Sequence, residues 1–68
     1  MELFNYYFVD KNSGLYLKNW DDEGCLNTSN IKEALMFSNL EKRKAEDTLA
    51  AINELFIGGY KMQIINQK

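Results

Sequence analysis

The stretch Leu3-Phe4-Asn5-Tyr6-Tyr7-Phe8-Val9, followed by Asp10-Lys11-Asn12-Ser13-Gly14, decides how the rest of the chain is read. Aromatic and β-branched side chains at this density suit a pleated strand better than a helix. The residues after it are turn formers. Asn12-Ser13 fit a type I turn, and Gly14 supplies the positive φ of a bulge. Leu15 to Trp20 reads as the return strand, so residues 3–20 predict a β-hairpin. Two registers are open. With Val9 facing Tyr16, one face holds Phe4, Tyr6, Phe8, Leu15 and Leu17, and the other holds Asn5, Tyr7, Val9, Tyr16, Lys18 and Trp20. If the Gly14 bulge shifts the return strand by one, Tyr7, Val9, Leu15 and Leu17 lie together, and Phe4, Tyr6, Phe8, Tyr16 and Trp20 lie opposite. A one-residue slip exchanges the faces of a strand. Both registers predict several aromatic side chains on the sheet face away from the main core.

Beyond the hairpin, Asp21-Asp22-Glu23-Gly24 reads as a short acidic loop. Asn30 with Glu33 resembles a capping box and predicts a short helix over residues 31–36, burying Ile31, Ala34, Leu35 and Phe37. Ser38 with Glu41 is a second, better box, with Phe37 placed to staple the entry. The main helix then runs over residues 39–56. Ala45, Leu49, Ile52 and Phe56 form its apolar stripe, with Leu55 beside them. Gly58-Gly59 ends it, and residues 60–65 alternate as a last strand. The order ββααβ gives an α+β fold: a three-stranded antiparallel sheet of order 2-1-3, the third strand beside the first, with both helices on one face. Residues 1–68 make one small domain.

The inventory removes several chemistries. Apolar residues are 46% of the chain, aromatics 13% and charged residues 26%, and the net charge is −2. That composition argues against a disordered chain and lacks the basic excess of a general nucleic-acid binder. Without histidine there is no side chain that titrates naturally near neutral pH, and no Ser-His, Cys-His or histidine-rich metal site. Cys25 is the only cysteine, which rules out an internal disulfide and fits a reducing compartment. The segment from Met1 carries no basic, apolar leader and no membrane span, so a cytoplasmic location is expected. A chain of this size buries about 60% of its unfolded surface, which makes a homodimer or a bound partner a natural supplement to its stability.

Three clusters could carry function. The aromatic surplus of the sheet could anchor a protein, since Tyr and Trp dominate interface hot spots; Tyr7, Tyr16 and Trp20 are the candidates. The carboxylates Asp21, Asp22 and Glu23 could extend that contact; their spacing matches no calcium loop, so no metal is expected. Lys42-Arg43-Lys44 opposes the dipole of the main helix at its start. The run reads as a solvated face pairing Lys42 with Glu46 and Arg43 with Asp47, and Lys42 and Arg43 form a secondary contact patch. Cys25 reads as a small apolar filler rather than a nucleophile. Gly58-Gly59 follows a helix, the reverse of a phosphate-binding loop.

Tyr6-Tyr7-Phe8-Val9, then Asn12-Ser13-Gly14-Leu15-Tyr16-Leu17, then Ile31-Lys32-Glu33-Ala34 with Ala34-Leu35-Met36-Phe37, resembles the layout of small accessory proteins of Gram-positive bacteriophages and prophages. The resemblance covers residues 6–56 and transfers no functional residue. It implies an accessory product that binds and modulates or inhibits a host or defence protein, such as a CRISPR nuclease, in the host cytoplasm. The expectation is therefore a non-catalytic protein-binding module without cofactor, acting alone or as a homodimer. The alternative is a small nucleic-acid- or nucleotide-binding protein that joins sheet aromatics to Lys18, Lys42, Arg43, Lys44 and Lys61. Phosphate contact would show as steep salt dependence. An enzyme is disfavoured, because no convergent set of catalytic groups is visible.

Overall fold

Strand β1 (Phe4–Asp10) is the axis on which the other elements assemble, and it meets β2 (Tyr16–Asp21) with Val9 opposite Tyr16. A computed structural model describes residues 3–56 and 59–66 of the chain. The turn between the two strands forms as its residue types predict. Gly14 adopts φ +74°, its N–H donates to the Asp10 carbonyl at 2.8 Å, and the Asn12 N–H donates to Asp10 Oδ1 at 2.9 Å. A Cβ added at Gly14 would meet nothing within 4 Å. Gly14→Ala is thus expected to cost only the left-handed backbone penalty of about 1–2 kcal/mol, read as a lower denaturant midpoint at unchanged m-value.

The register is the first of the two considered, so Tyr6, Phe8 and Leu17 lie on the core face, with Phe4 packed against them. Trp20 departs from that reading. The acidic segment is a tight connection into a strand that the sequence did not announce, β3 (Gly24–Thr28), with Asp21 opposite Gly24 and Trp20 opposite Cys25. The β2–β3 register jumps between Leu17 and Asn19, which makes Lys18 an extra residue in β2. After this bulge Lys18 and Asn19 both point outward, and Trp20 returns to the core face, where it packs against the buried cluster.

The expected helix over residues 31–36 is a single 3-10 turn at Ile31–Glu33. Asn30 caps it as predicted, with its Oδ1 accepting from the Lys32 N–H at 3.0 Å. The chain then extends into β4 (Met36–Ser38), which pairs with β1 through Asn5–Ser38, Tyr6–Phe37 and Tyr7–Met36. The reason is non-local. β2 occupies the edge of β1 only near Val9, and the backbone groups at the other end of that edge need partners of their own. Where the two strands meet, the Leu35 N–H donates to the Leu17 carbonyl at 2.9 Å.

Ser38 and Glu41 form the predicted capping box, with the Ser38 N–H donating to Glu41 Oε1 at 3.2 Å. A 3-10 turn at Asn39–Glu41 leads into the helix α1 (Lys42–Leu55). Its stripe is seated as expected: Ala45 and Ile52 are fully buried, and Leu49 and Phe56 pack on the same cluster. Leu55, however, faces out at 51% exposure. In the Gly58-Gly59 stop, Gly58 lies outside the described residues.

The last strand, β5 (Tyr60–Asn66), runs antiparallel to β1 along its whole length, from Asp10–Tyr60 to Phe4–Asn66. The expected neighbours of β1 are therefore present, but inside a larger sheet. The three-stranded ββααβ layout is replaced by five strands, ordered β3-β2-β1-β4 with β5 on the far side of β1, and one α-helix. The core lies between sheet and α1 and holds Tyr6, Phe8, Leu17, Ala45, Ile52 and Tyr60.

Candidate functional site

The hairpin of β2 and β3 carries Trp20, Asp21, Asp22 and Glu23, so the structure brings these predicted residues together. Local backbone chemistry sets the tip. Asp21 Oδ1 accepts the N–H groups of Glu23 at 2.8 Å and Gly24 at 3.1 Å, which closes the connection and leaves Asp22 and Glu23 exposed. Beside the tip is an open concavity of about 370 Å³ lined by Asn19, Trp20, Asp21, Glu23, Cys25 and Leu26, with Gly24 at its end. Leu26, which the sequence reading did not select, is 56% exposed. It pairs with Asn19 on the outward side of the bulge. The lining thus mixes the apolar residues Trp20, Cys25 and Leu26 with Asn19, Asp21 and Glu23.

A polar chain holds this arm against the rest of the sheet. The Tyr60 hydroxyl donates to Asn27 Oδ1 at 2.6 Å, and Asn27 Nδ2 donates to Asp10 Oδ2 at 3.0 Å. Burial, reinforced by the nearby Cys25 thiol, pushes the Tyr60 phenol up to about 12. The backbone N–H of Asn12, followed by the Asn27 amide, holds the Asp10 carboxyl below its ordinary value, and the Ser38 N–H does the same for Glu41.

The other predicted residues sit elsewhere. Tyr7 and Tyr16 form an edge-on pair with ring centroids 5.9 Å apart, and the Tyr7 hydroxyl donates to Met36 Sδ at 3.6 Å. Tyr7 is 8% exposed, so it offers no surface to a partner. Tyr16 and Trp20 are half-buried. The expected exposed aromatic face is corrected accordingly. Every ring of the chain is buried or half-buried, and the large apolar side chains that do face out, such as Leu26, Met36, Leu40 and Ile64, are aliphatic.

Lys42 and Arg43 are exposed on the first turn of α1, on a different element from the tip. The expected pairs with Glu46 and Asp47 do not form. Among the described residues the ion pairs are Lys44 with Glu41 at 3.6 Å and Lys18 with Glu33 at 3.5 Å. Among the described residues no three Cys, Asp or Glu gather closely enough to hold a metal ion, and no helix is long and apolar enough to cross a membrane. No family model, no curated protein and no solved structure matches the chain.

Proposed function

We propose that the chain is a non-catalytic protein-binding module that docks through the tip of the β2–β3 arm. The observation that carries this reading is the open concavity lined by Trp20 and the exposed Leu26 together with Asp21 and Glu23, next to the exposed Asp22. An apolar anchor ringed by like charges suits a partner with a protruding apolar side chain on a basic surface. Proteins that handle nucleic acid present such surfaces. The resemblance to phage accessory proteins agrees with this partner class: a host or defence protein of the cytoplasm, such as a CRISPR nuclease, which the bound module modulates or inhibits. Lys42 and Arg43 form a separate, secondary patch on α1.

Capture from host lysate followed by titration of the identified partner tests the proposal. Trp20→Ala is expected to weaken binding by more than about 2 kcal/mol, roughly thirtyfold. Asp22→Lys with Glu23→Lys is expected to slow association and to remove its salt dependence. A Trp20→Ala protein that is folded and binds within a factor of three of the parent would discard the tip as the docking site.

A further inference from the structure

The outer edge of β5 has a hydrogen-bonding phase that its partners on β1 reveal. The Lys11 N–H donates to the Gly59 carbonyl at 2.9 Å, one step beyond the Asp10–Tyr60 position. Bond exchange alternates along an antiparallel ladder. Lys61, Gln63 and Ile65 therefore bond to β1, while the backbone groups of Tyr60, Met62, Ile64 and Asn66 aim at the opposite edge. The same phase turns the Asp10 N–H toward β2, where it donates to the Leu15 carbonyl at 2.9 Å.

One of those outward residues is already satisfied. Asn53 Oδ1 accepts from the Tyr60 N–H at 3.0 Å, and Asn53 Nδ2 donates to the Tyr60 carbonyl at 3.1 Å. The amide of α1 imitates the backbone of one more strand, and it closes the edge at that end. No described strand lies beyond β5 at Met62, Ile64 and Asn66. The stretch Met62-Gln63-Ile64-Ile65-Asn66 has no proline and no charge, and Ile64 is 57% exposed. Charges, prolines and bulges are the usual protections of a free edge; β5 carries one of them, Lys61, next to the end that Asn53 closes, and residues 62–66 carry none.

We propose that this edge pairs with the same edge of a second copy of the chain, antiparallel about a twofold axis at Ile64. Among the described residues the open positions are 62, 64 and 66, which are symmetric about that residue. The pairing sets Ile64 opposite Ile64, Met62 opposite Asn66 and Gln63 opposite Ile65, so every outward backbone group finds its complement and no like charges meet. The Asn53 amide fixes where the joined stretch stops. A single-strand contact is smaller than the roughly 800 Å² per partner of a standard interface, so the dimer is concentration-dependent. The proposal uses a different edge from the tip of the β2–β3 arm and stands or falls independently of it.

Sedimentation over a wide concentration range, joined to residue-resolved hydrogen exchange, tests it. The expected result is a mass rising from one chain to two. The amides of Met62, Ile64 and Asn66 slow their exchange as concentration rises, while those of Lys61, Gln63 and Ile65 are protected throughout. Ile64→Pro removes an outward donor and spares the bonds to β1, and it is expected to stay monomeric with an unchanged fold. Ile64→Lys sets two cations face to face and should weaken the dimer about tenfold or more, with part of the loss recovered in high salt. If Ile64→Pro does not fold, Ile64→Lys carries the test. A parent chain that stays monomeric at every concentration, or a dimer unaffected by Ile64→Lys, overturns the proposal.

Discussion

Phe8→Ala is expected to leave the chain largely unfolded at 25 °C. Phe8 is fully buried at the middle of β1 and meets Phe37 edge-on with centroids 6.0 Å apart. It sits in the cluster that joins the sheet to Ala45 and Ile52 of α1. Truncating a buried phenylalanine costs about 3–5 kcal/mol. A single small core without disulfide or metal rarely supplies more than about 3–5 kcal/mol, so a loss of this size is comparable to the whole. Far-UV circular dichroism with a urea titration reads the effect. A cooperative unfolding transition within about 1 kcal/mol of the parent would mean that the core does not centre on Phe8. Phe8→Leu, which keeps most of the buried volume, should remain folded with a smaller loss.

Tyr60→Phe has the next largest effect, and it carries a pH signature. Removing the hydroxyl takes away the 2.6 Å bond to Asn27 and leaves Asn27 Oδ1 without its donor, at a cost of about 1–3 kcal/mol near neutral pH. The folded state holds the phenol neutral and raises its titration from 10.0 to about 12, chiefly through burial. A group raised in this way contributes stability that is complete below pH 10 and is lost as pH climbs toward 12. The parent should therefore weaken across that window while Tyr60→Phe lacks this contribution, and the gap between the two should narrow. Denaturant titrations at pH 7 and pH 11 measure both arms. A gap that stays constant between those values would remove Tyr60 as the source of the alkaline loss.

Local chemistry made some elements legible and long-range pairing hid others. Asp10 to Gly14 announces its turn through residues that satisfy one another within a few positions. Ser38 with Glu41 announces α1, and the spacing of Ala45, Leu49, Ile52 and Phe56 identifies its buried stripe. Met36-Phe37-Ser38 has no period of its own. It becomes a strand only because β2 leaves half of one edge of β1 unpaired. Cys25-Leu26-Asn27-Thr28 is likewise too short and too mixed to declare itself, and the bulge at Lys18 inverts the side on which Trp20 falls. Both features shape the site. A flat three-stranded sheet would leave Tyr7 uncovered, whereas Tyr16 and Met36 cover it here. The same extra strand, β3, creates the concavity beside Trp20 and exposes Leu26. Asn53 had no visible signal, because its partner is the backbone of a strand seven residues downstream.

The pairing of β1 with β5 joins Phe4 to Asn66. A chain emerging from the ribosome exposes β1 (Phe4–Asp10) well before its complement β5 (Tyr60–Asn66). Until residues 60–66 clear the exit tunnel, one whole flank of Phe4–Asp10 has no mate, and the nascent polypeptide must wait in a partly assembled state. Closure of the sheet along that flank is thus deferred until β5 has emerged.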